Sequence, residues 1–405
     1  MNSRNCPRIL YISSVWPDDA TFGGALRSSS VLRALEEMGT VEVLFLDDQT
    51  TTAESFSQLS KKHGPRRSLE LEDRSNKNLV ERIRWTFDST SDYPNGCGVG
   101  QSKVQSVLHD LDNFDLVWFF QLRSADAFPN AVWSRSVVDI DNIPSMYELA
   151  KLRAGSVSLD HILALRRLLS WRRREKLLGN RFDVLAVCSE EDAGYLRRIG
   201  IEAPVHVIPN GFERPLATPV RCPAVPPRIG FIGLFEYAPN LEGMRWFVDK
   251  CWPRIKSEVP EARLRLVGKD SDGPLKPVGP DIYSLGWLAN PSEEMSTWSA
   301  MVVPLQVGAG TRVKIAHGFS EKCPIVSTTL GAYGYGALNG REMYLADSVD
   351  GFSKACIRAI REPREAEQMA ERAWRVFTEK WTWEAIRPRV WAAAEDCLRK
   401  THVSH

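Results

Sequence analysis

The sequence predicts an α/β protein of two domains, each built on a parallel sheet. Three observations carry that expectation. The chain has 405 residues of average globular composition, 43% apolar and 25% charged, more than one ordinary core accommodates. Residues 8–46 read as strand, glycine loop, helix and strand, the βαβ unit that implies a parallel sheet. After a stretch dense in proline the same pattern begins again at Arg228.

Taken in order, residues 8–15 are apolar and rich in β-branched side chains, as a strand buried on both faces requires. A loop with Pro17, Asp18, Asp19, Gly23 and Gly24 leads to a helix over 27–38, stopped at Gly39, and a second strand over 40–46. Residues 47–100 are polar, with Lys61, Lys62, Arg66, Arg67 and an Asn95-Gly96 turn signal, and read as an irregular excursion. Strand-like runs return at 116–120, 136–140, 184–187 and 205–208. The first domain is therefore expected over 1–214 and a linker over 215–227, which holds Pro215, Pro219, Pro223, Pro226 and Pro227. A second domain follows over 228–385, with strands at 228–233, 263–267, 282–285, 300–304 and 325–327, and a last segment over 386–405. Open parallel sheets bind ligands beyond the carboxyl ends of their strands, so a cleft is the expected site.

Composition narrows the function. A formal net charge of +1 gives no global field for nucleic acid. The eight cysteines are scattered without a C-x-x-C pair and read as reduced packing thiols, and no metal site is expected. No apolar run approaches membrane-spanning length, and the start lacks the features of a secretory signal, so a cytoplasmic protein is expected.

The strongest local signal follows the run Met301-Val-Val-Pro304: Gly308, Gly310, Thr311, Arg312 and Lys314 in a glycine turn that opens a helix near Thr311. Such a turn lets backbone N–H groups converge on an anion, with two cations beside it. A tight turn capped by Thr311 with two solvated basic residues satisfies the same pattern. Gly23 and Gly24 repeat the logic in the first half.

Together, Ile208-Pro-Asn-Gly211, Gly308-Ala-Gly-Thr-Arg-Val-Lys-Ile315 and Pro324-Ile-Val-Ser-Thr-Thr-Leu-Gly-Ala332 resemble the retaining GT-B glycosyltransferases of the bacterial group 1, or family 4, class. Val187-Cys-Ser-Glu-Glu-Asp192 and Trp381-Thr-Trp383-Glu384 fit the same order. The resemblance implies two Rossmann-like domains with sheets facing across a cleft, a nucleotide-diphosphate sugar as substrate with no separate cofactor, and a final helix crossing back to the first domain. By position it implies that Gly23 and Gly24 face the diphosphate from one side, and that Gly233, Gly308, Gly310, Thr311, Arg312 and Lys314 hold it from the other. Trp287 and Leu288 then correspond to the base-binding strand end.

Two departures stand out. The family often places acidic residues eight apart around this loop, where this chain has Ala309 and His317; His317 either substitutes as a hydrogen-bonding group or has lost the role. An Arg and a Lys common after the first strand of the second domain are replaced near Leu234, Pro239 and Asn240, which throws charge neutralisation onto Arg312 and Lys314. On the acceptor side, Arg123, Asp139 and Asp141 sit at strand carboxyl ends, with Glu148 a weaker candidate; binding roles and structural ion pairs both remain open for them. Residues 163–178 carry Arg166, Arg167, Arg172, Arg173, Arg174 and Lys176 among leucines and Trp171, readable as a solvated helix face or as contact with anionic lipid.

The expected reaction breaks the bond between the sugar anomeric carbon and a diphosphate, so its main demand is stabilisation of charge on the departing oxygens. No Ser-His-Asp or Cys-His set is evident, and none is needed if a phosphate oxygen takes the acceptor's proton. A nucleotide-sugar epimerase of the same architecture and a non-catalytic nucleotide-sugar-binding subunit are the rival readings. The acceptor, a glycan, a lipid-linked sugar or a small hydroxyl compound, is left open.

Overall fold

A computed structural model of the chain describes residues 6–17, 23–47, 66–73, 80, 97–99, 101–128, 132–154, 159–271, 279 and 281–401. Asp18, Asp19, Lys61, Lys62 and the Asn95-Gly96 turn lie outside them. The chain divides into two compact units, Met1–Ile208 with Arg387–His405, and Pro209–Ile386. The proline-dense stretch expected as a linker lies in the second unit. Cys222 N and Ala224 N donate to Ser296 O and Thr297 O, and the Arg221 guanidinium donates to the carbonyls of Met295 and Trp298.

In the first unit β1 (Arg8–Ser13), β2 (Thr40–Asp47) and β3 (Arg66–Glu70) form one half of a sheet. A short antiparallel pair, β4 (Glu72–Asp73) and β5 (Cys97–Gly98), stands apart from it. β6 (Leu116–Phe120), β7 (Trp133–Ile140), β8 (Phe182–Val187) and β9 (Val205–Val207) complete an all-parallel sheet of order β3-β2-β1-β6-β7-β8-β9. Part of the polar excursion is therefore an edge strand, with Arg67 donating to Asp110 Oδ2 at 2.7 Å. Apart from Arg8, the central strands β1 and β6 are buried, their apolar and aromatic runs facing both ways as parallel sheets demand. Phe119 meets Trp133 edge-on at 4.7 Å and Phe182 at 5.6 Å, pairs worth about 0.5–1.5 kcal/mol each beyond burial.

The second unit repeats the plan with β10 (Arg228–Ile232), β11 (Arg263–Val267), β12 (Ile282–Ser284), β13 (Ala300–Val303), β14 (Ile325–Ser327) and β15 (Tyr344–Leu345). The order is β12-β11-β10-β13-β14-β15, all parallel. Strand order reverses between β1 and β6 in one unit and between β10 and β13 in the other. Those two points are where open α/β sheets leave a crevice beyond the strand ends.

The helix Trp383–Thr401 begins in the second unit, and from Arg387 it belongs to the first. There Trp391 Nε1 donates to Ala34 O at 2.8 Å, His206 Nε2 lies 3.1 Å from Asp396 Oδ2, and Lys400 Nζ donates to Asp183 O at 2.9 Å. Among the described residues no helix is long and apolar enough to cross a membrane, and no His, Cys, Asp or Glu cluster has the makings of a metal site. Cys188, Cys251, Cys323, Cys356 and Cys397 are buried free thiols.

Candidate donor-binding site

The switch point of the second unit places two loops side by side: the one after β10, carrying Gly233, and the one after β13, carrying Gly308 to Lys314. The helix Ala238–Trp246 follows the first and the helix Val313–Ser320 the second. Sequence spacing starts the second helix near Thr311; the backbone starts it two residues later. Gly310 holds φ 71°, open to a residue without Cβ, and Arg312 is extended at φ −101° and ψ 103°. Thr311 is therefore not the cap. Its Oγ1 is buried and has no hydrogen-bond partner among the described residues.

Arg312 is pinned: its carbonyl accepts from Tyr335 Oη at 2.7 Å, and its Nη1 donates to Ala309 O. A Cβ at Gly308 would lie 2.1 Å from the Arg312 guanidinium, so glycine makes room for the cation. Lys314 is partly buried. Its Nζ donates to Asn240 Oδ1 at 2.8 Å and sits 4.0 Å above the Phe231 ring, while Asn240 Nδ2 donates to Leu234 O at 2.7 Å. Burial, and then the neighbouring Arg312, pushes the Lys314 pKa well below its usual range. Among the described residues no carboxylate pairs with this ammonium. At Gly233 a Cβ would stand 2.8 Å from Lys314 Nζ and 2.9 Å from Asn240 Nδ2, filling the space beside the ammonium.

His317 follows on the same helix. It stacks on Phe212 with centroids 4.2 Å apart and planes 15° apart, and burial pushes its pKa down to about 4, so the ring is neutral at pH 7. Ser292 Oγ donates at 2.7 Å to the Glu321 oxygen that lies 4.0 Å from His317 Nε2, too far for a hydrogen bond to the ring. Ala309, at the other position expected to be acidic, is 6% exposed. Farther along, Gly286 turns at φ 66°, its N–H donates to Ser271 Oγ and its carbonyl accepts from Gly268 N. This projects Trp287 outward at 53% exposure, while Leu288 packs on the core.

The first unit departs further from expectation. Gly23 and Gly24, expected as loop backbone, form the first turn of the helix Gly23–Glu36, because the apolar periodicity extends back through Ala25. Asp139, expected on the acceptor side, is fully buried and committed to Arg27. Arg27 Nη2 and Nε donate to its two oxygens at 2.7 and 3.2 Å, and Nη1 donates to Ile208 O at 2.7 Å. Burial works against the Arg27 charge, but the facing carboxylate outweighs it and the guanidinium pKa is raised.

Asp141 is partly exposed and accepts from Gln121 Nε2 at 3.3 Å and Cys188 Sγ at 3.4 Å. Gln121 has φ 63° and ψ 145°, a conformation that side-chain-bearing residues rarely adopt. Arg123 is exposed on the short helix Leu122–Asp126. Glu148 is buried, which raises its carboxyl pKa. Sequence reasoning missed Arg27, Phe212 and the pairing of Asn240 with Lys314, contacts that span 112, 105 and 74 positions and leave no local signal.

Comparisons with known proteins bear on the fold. Residues 226–362 match the family model described as glycosyl transferases group 1. A curated protein of Klebsiella pneumoniae, described as an uncharacterized 44.6 kDa protein in a cps region, is 23% identical over 201 residues, 47% of this chain and 50% of the relative. That match thus spans about half the length of the relative. Sucrose-phosphate synthase from Thermosynechococcus elongatus superposes with TM-score 0.68 at 14% identity over 99% of this chain and 100% of its own. Anabaena HepE in complex with UDP-glucose superposes with TM-score 0.61 at 13% identity over 96% of this chain and 99% of its own. The chain therefore has the GT-B fold, and residues 226–362 of its second unit are similar to group 1 glycosyl transferases.

Proposed function

We propose that the chain is a retaining glycosyltransferase that takes a sugar from a UDP-type donor and passes it to a hydroxyl acceptor. The observation that carries this reading is Lys314, a partly buried ammonium at the switch point whose partners are an amide and a ring face. With Arg312 beside it and the Thr311 hydroxyl unspent, the site calls for an anion of about two charges, which a nucleoside diphosphate supplies. The HepE complex with UDP-glucose supports the choice of base, and exposed Trp287 offers a surface for it. The cps-region relative supports polysaccharide assembly as the setting.

In the reaction the bond between the anomeric carbon and the diphosphate oxygen breaks, and Arg312, Lys314 and Thr311 stabilise the charge left on that oxygen. The acceptor oxygen bonds to the same face of the anomeric carbon, and its proton passes to a phosphate oxygen. Neutral His317 is suited to hydrogen-bond the sugar or ribose without adding charge next to the diphosphate. Asp141 and Arg123, at the strand ends of the first unit, are our candidates for holding the acceptor.

Calorimetry with UDP, together with nuclear magnetic resonance of reactions charged with UDP-sugars, tests this. Binding of UDP and release of nucleotide are expected; isomerised donor would support an epimerase, and binding without turnover a sugar-nucleotide-binding subunit. Failure to bind any nucleoside diphosphate would sink the assignment.

A further inference from the structure

The helix Leu159–Glu175 in the first unit carries more apolar residues than its own packing uses. Ala164, Leu168 and Trp171 are buried against the domain. Ile162, Leu165 and Leu169 point the other way and are 64%, 50% and 48% exposed. That double set explains why the sequence shows no clean division of polar and apolar faces. At 100° per residue Ile162, Leu165, Arg166, Leu169, Arg172 and Arg173 share an arc of about 120°. Arg172 and Arg173 are exposed, and Arg166 partly so. The acid of the helix whose side chain is described, Glu175, is buried and held by Ser145 and Tyr195. The neighbouring helix Pro144–Ala154 adds exposed Arg153.

We infer that this face rests on an anionic lipid bilayer. Aliphatic tips and guanidinium groups interleaved on one exposed arc match an interface in which acyl chains lie just beneath a layer of phosphate. The leucine and isoleucine side chains enter the apolar boundary, and the arginines stay at the level of the headgroups. An aqueous role for the same arc would leave three large aliphatic side chains with about half or more of their surface exposed to water. The lack of acidic side chains among the described exposed residues of the helix removes the repulsion that would otherwise oppose an anionic surface. The inference is independent of the donor site, and its test requires no activity.

The test is flotation of the full chain with vesicles of phosphatidylcholine alone and with vesicles one third phosphatidylglycerol. Binding is expected to the second kind only, weakening as salt rises. The double substitution Arg172→Glu with Arg173→Glu is expected to lower vesicle affinity by about 25-fold or more, at roughly fivefold per cation. Leu165→Ser with Leu169→Ser is expected to lower it by about tenfold or more even in low salt, because insertion and not charge alone is lost. The melting temperature of the Leu165→Ser, Leu169→Ser chain should match that of the unaltered chain, since both side chains are about half exposed. Equal binding to neutral vesicles, binding that survives both double substitutions, or binding to polyglutamate in preference to vesicles would overturn the inference.

Discussion

Each unit holds a cation near the carboxyl ends of its sheet, one fully and one partly buried, and the two are treated in opposite ways. In the first, Arg27 is enclosed with Asp139 in a two-pronged ion pair, both side chains fully buried. In the second, Lys314 is enclosed with an amide, a ring face and another cation. A buried charge is costly unless it is matched. The first unit contains its counter-charge; the second leaves it to be brought from outside. Similar topologies thus serve two ends, one fixing the architecture and the other holding a standing demand for an anion.

The sharpest way to break this comparison is to remove one partner of the first pair. Arg27→Met leaves Asp139 buried and unmatched, and is expected to cost about 3–5 kcal/mol of stability in denaturant unfolding of the full chain. A midpoint near the original would mean that Arg27 does not hold the fold. The corresponding change in the second unit should behave in reverse. Lys314→Met removes an ammonium that burial disfavours, so thermal stability without ligand should hold or rise, while kcat/KM falls by about 10²–10³, as when a preorganised charge stabiliser is lost. Coupled loss of stability and activity would erase the contrast.

His317 extends the comparison to pH. Its folded pKa, about 4, lies below the ordinary 6.5. Neutral burial therefore contributes stability that is complete above pH 6.5 and is lost as pH falls through 4, up to about 3 kcal/mol. His317→Gln should flatten this acid slope in urea titrations; an unchanged slope would assign it to other groups. The smallest expected effect belongs to Thr311→Val. Because Oγ1 has no partner among the described residues, stability should hold, while calorimetric affinity for UDP drops roughly fivefold to tenfold with one hydrogen bond. Unaltered affinity would place the hydroxyl outside the donor site.

The parts of this arrangement legible in the sequence are those written in local pattern. Continuous β-branched and aromatic runs announced strands such as Leu116–Phe120 and Ile325–Ser327 at their observed bounds. Glycines and basic residues in one short run marked the loop from Gly308 to Lys314. Where backbone strain and long-range pairing decide, pattern was silent. Thr311 looks like a helix cap until Gly310 and extended Arg312 push the helix start to Val313. Asp139 and Asp141 are equivalent as strand-end acids, and only the side chain of Arg27, folded back from a distant helix, separates the locked one from the accessible one. Arg67, in a stretch read as irregular, belongs to an edge strand because its backbone pairs with β2 opposite Leu44, 23 positions away.

The divided helix at the carboxyl terminus sets an order on biosynthesis. Residues Pro209–Ile386 are contiguous and emerge from the ribosome with every strand of their sheet in hand. The unit translated first lacks Trp391 and Asp396, which meet Ala34 and His206, until residues 387–401 have emerged. The amino-terminal half is thus the last to be finished, and a stop codon at Arg387 would leave its nascent body without a closing piece while the donor half is already whole.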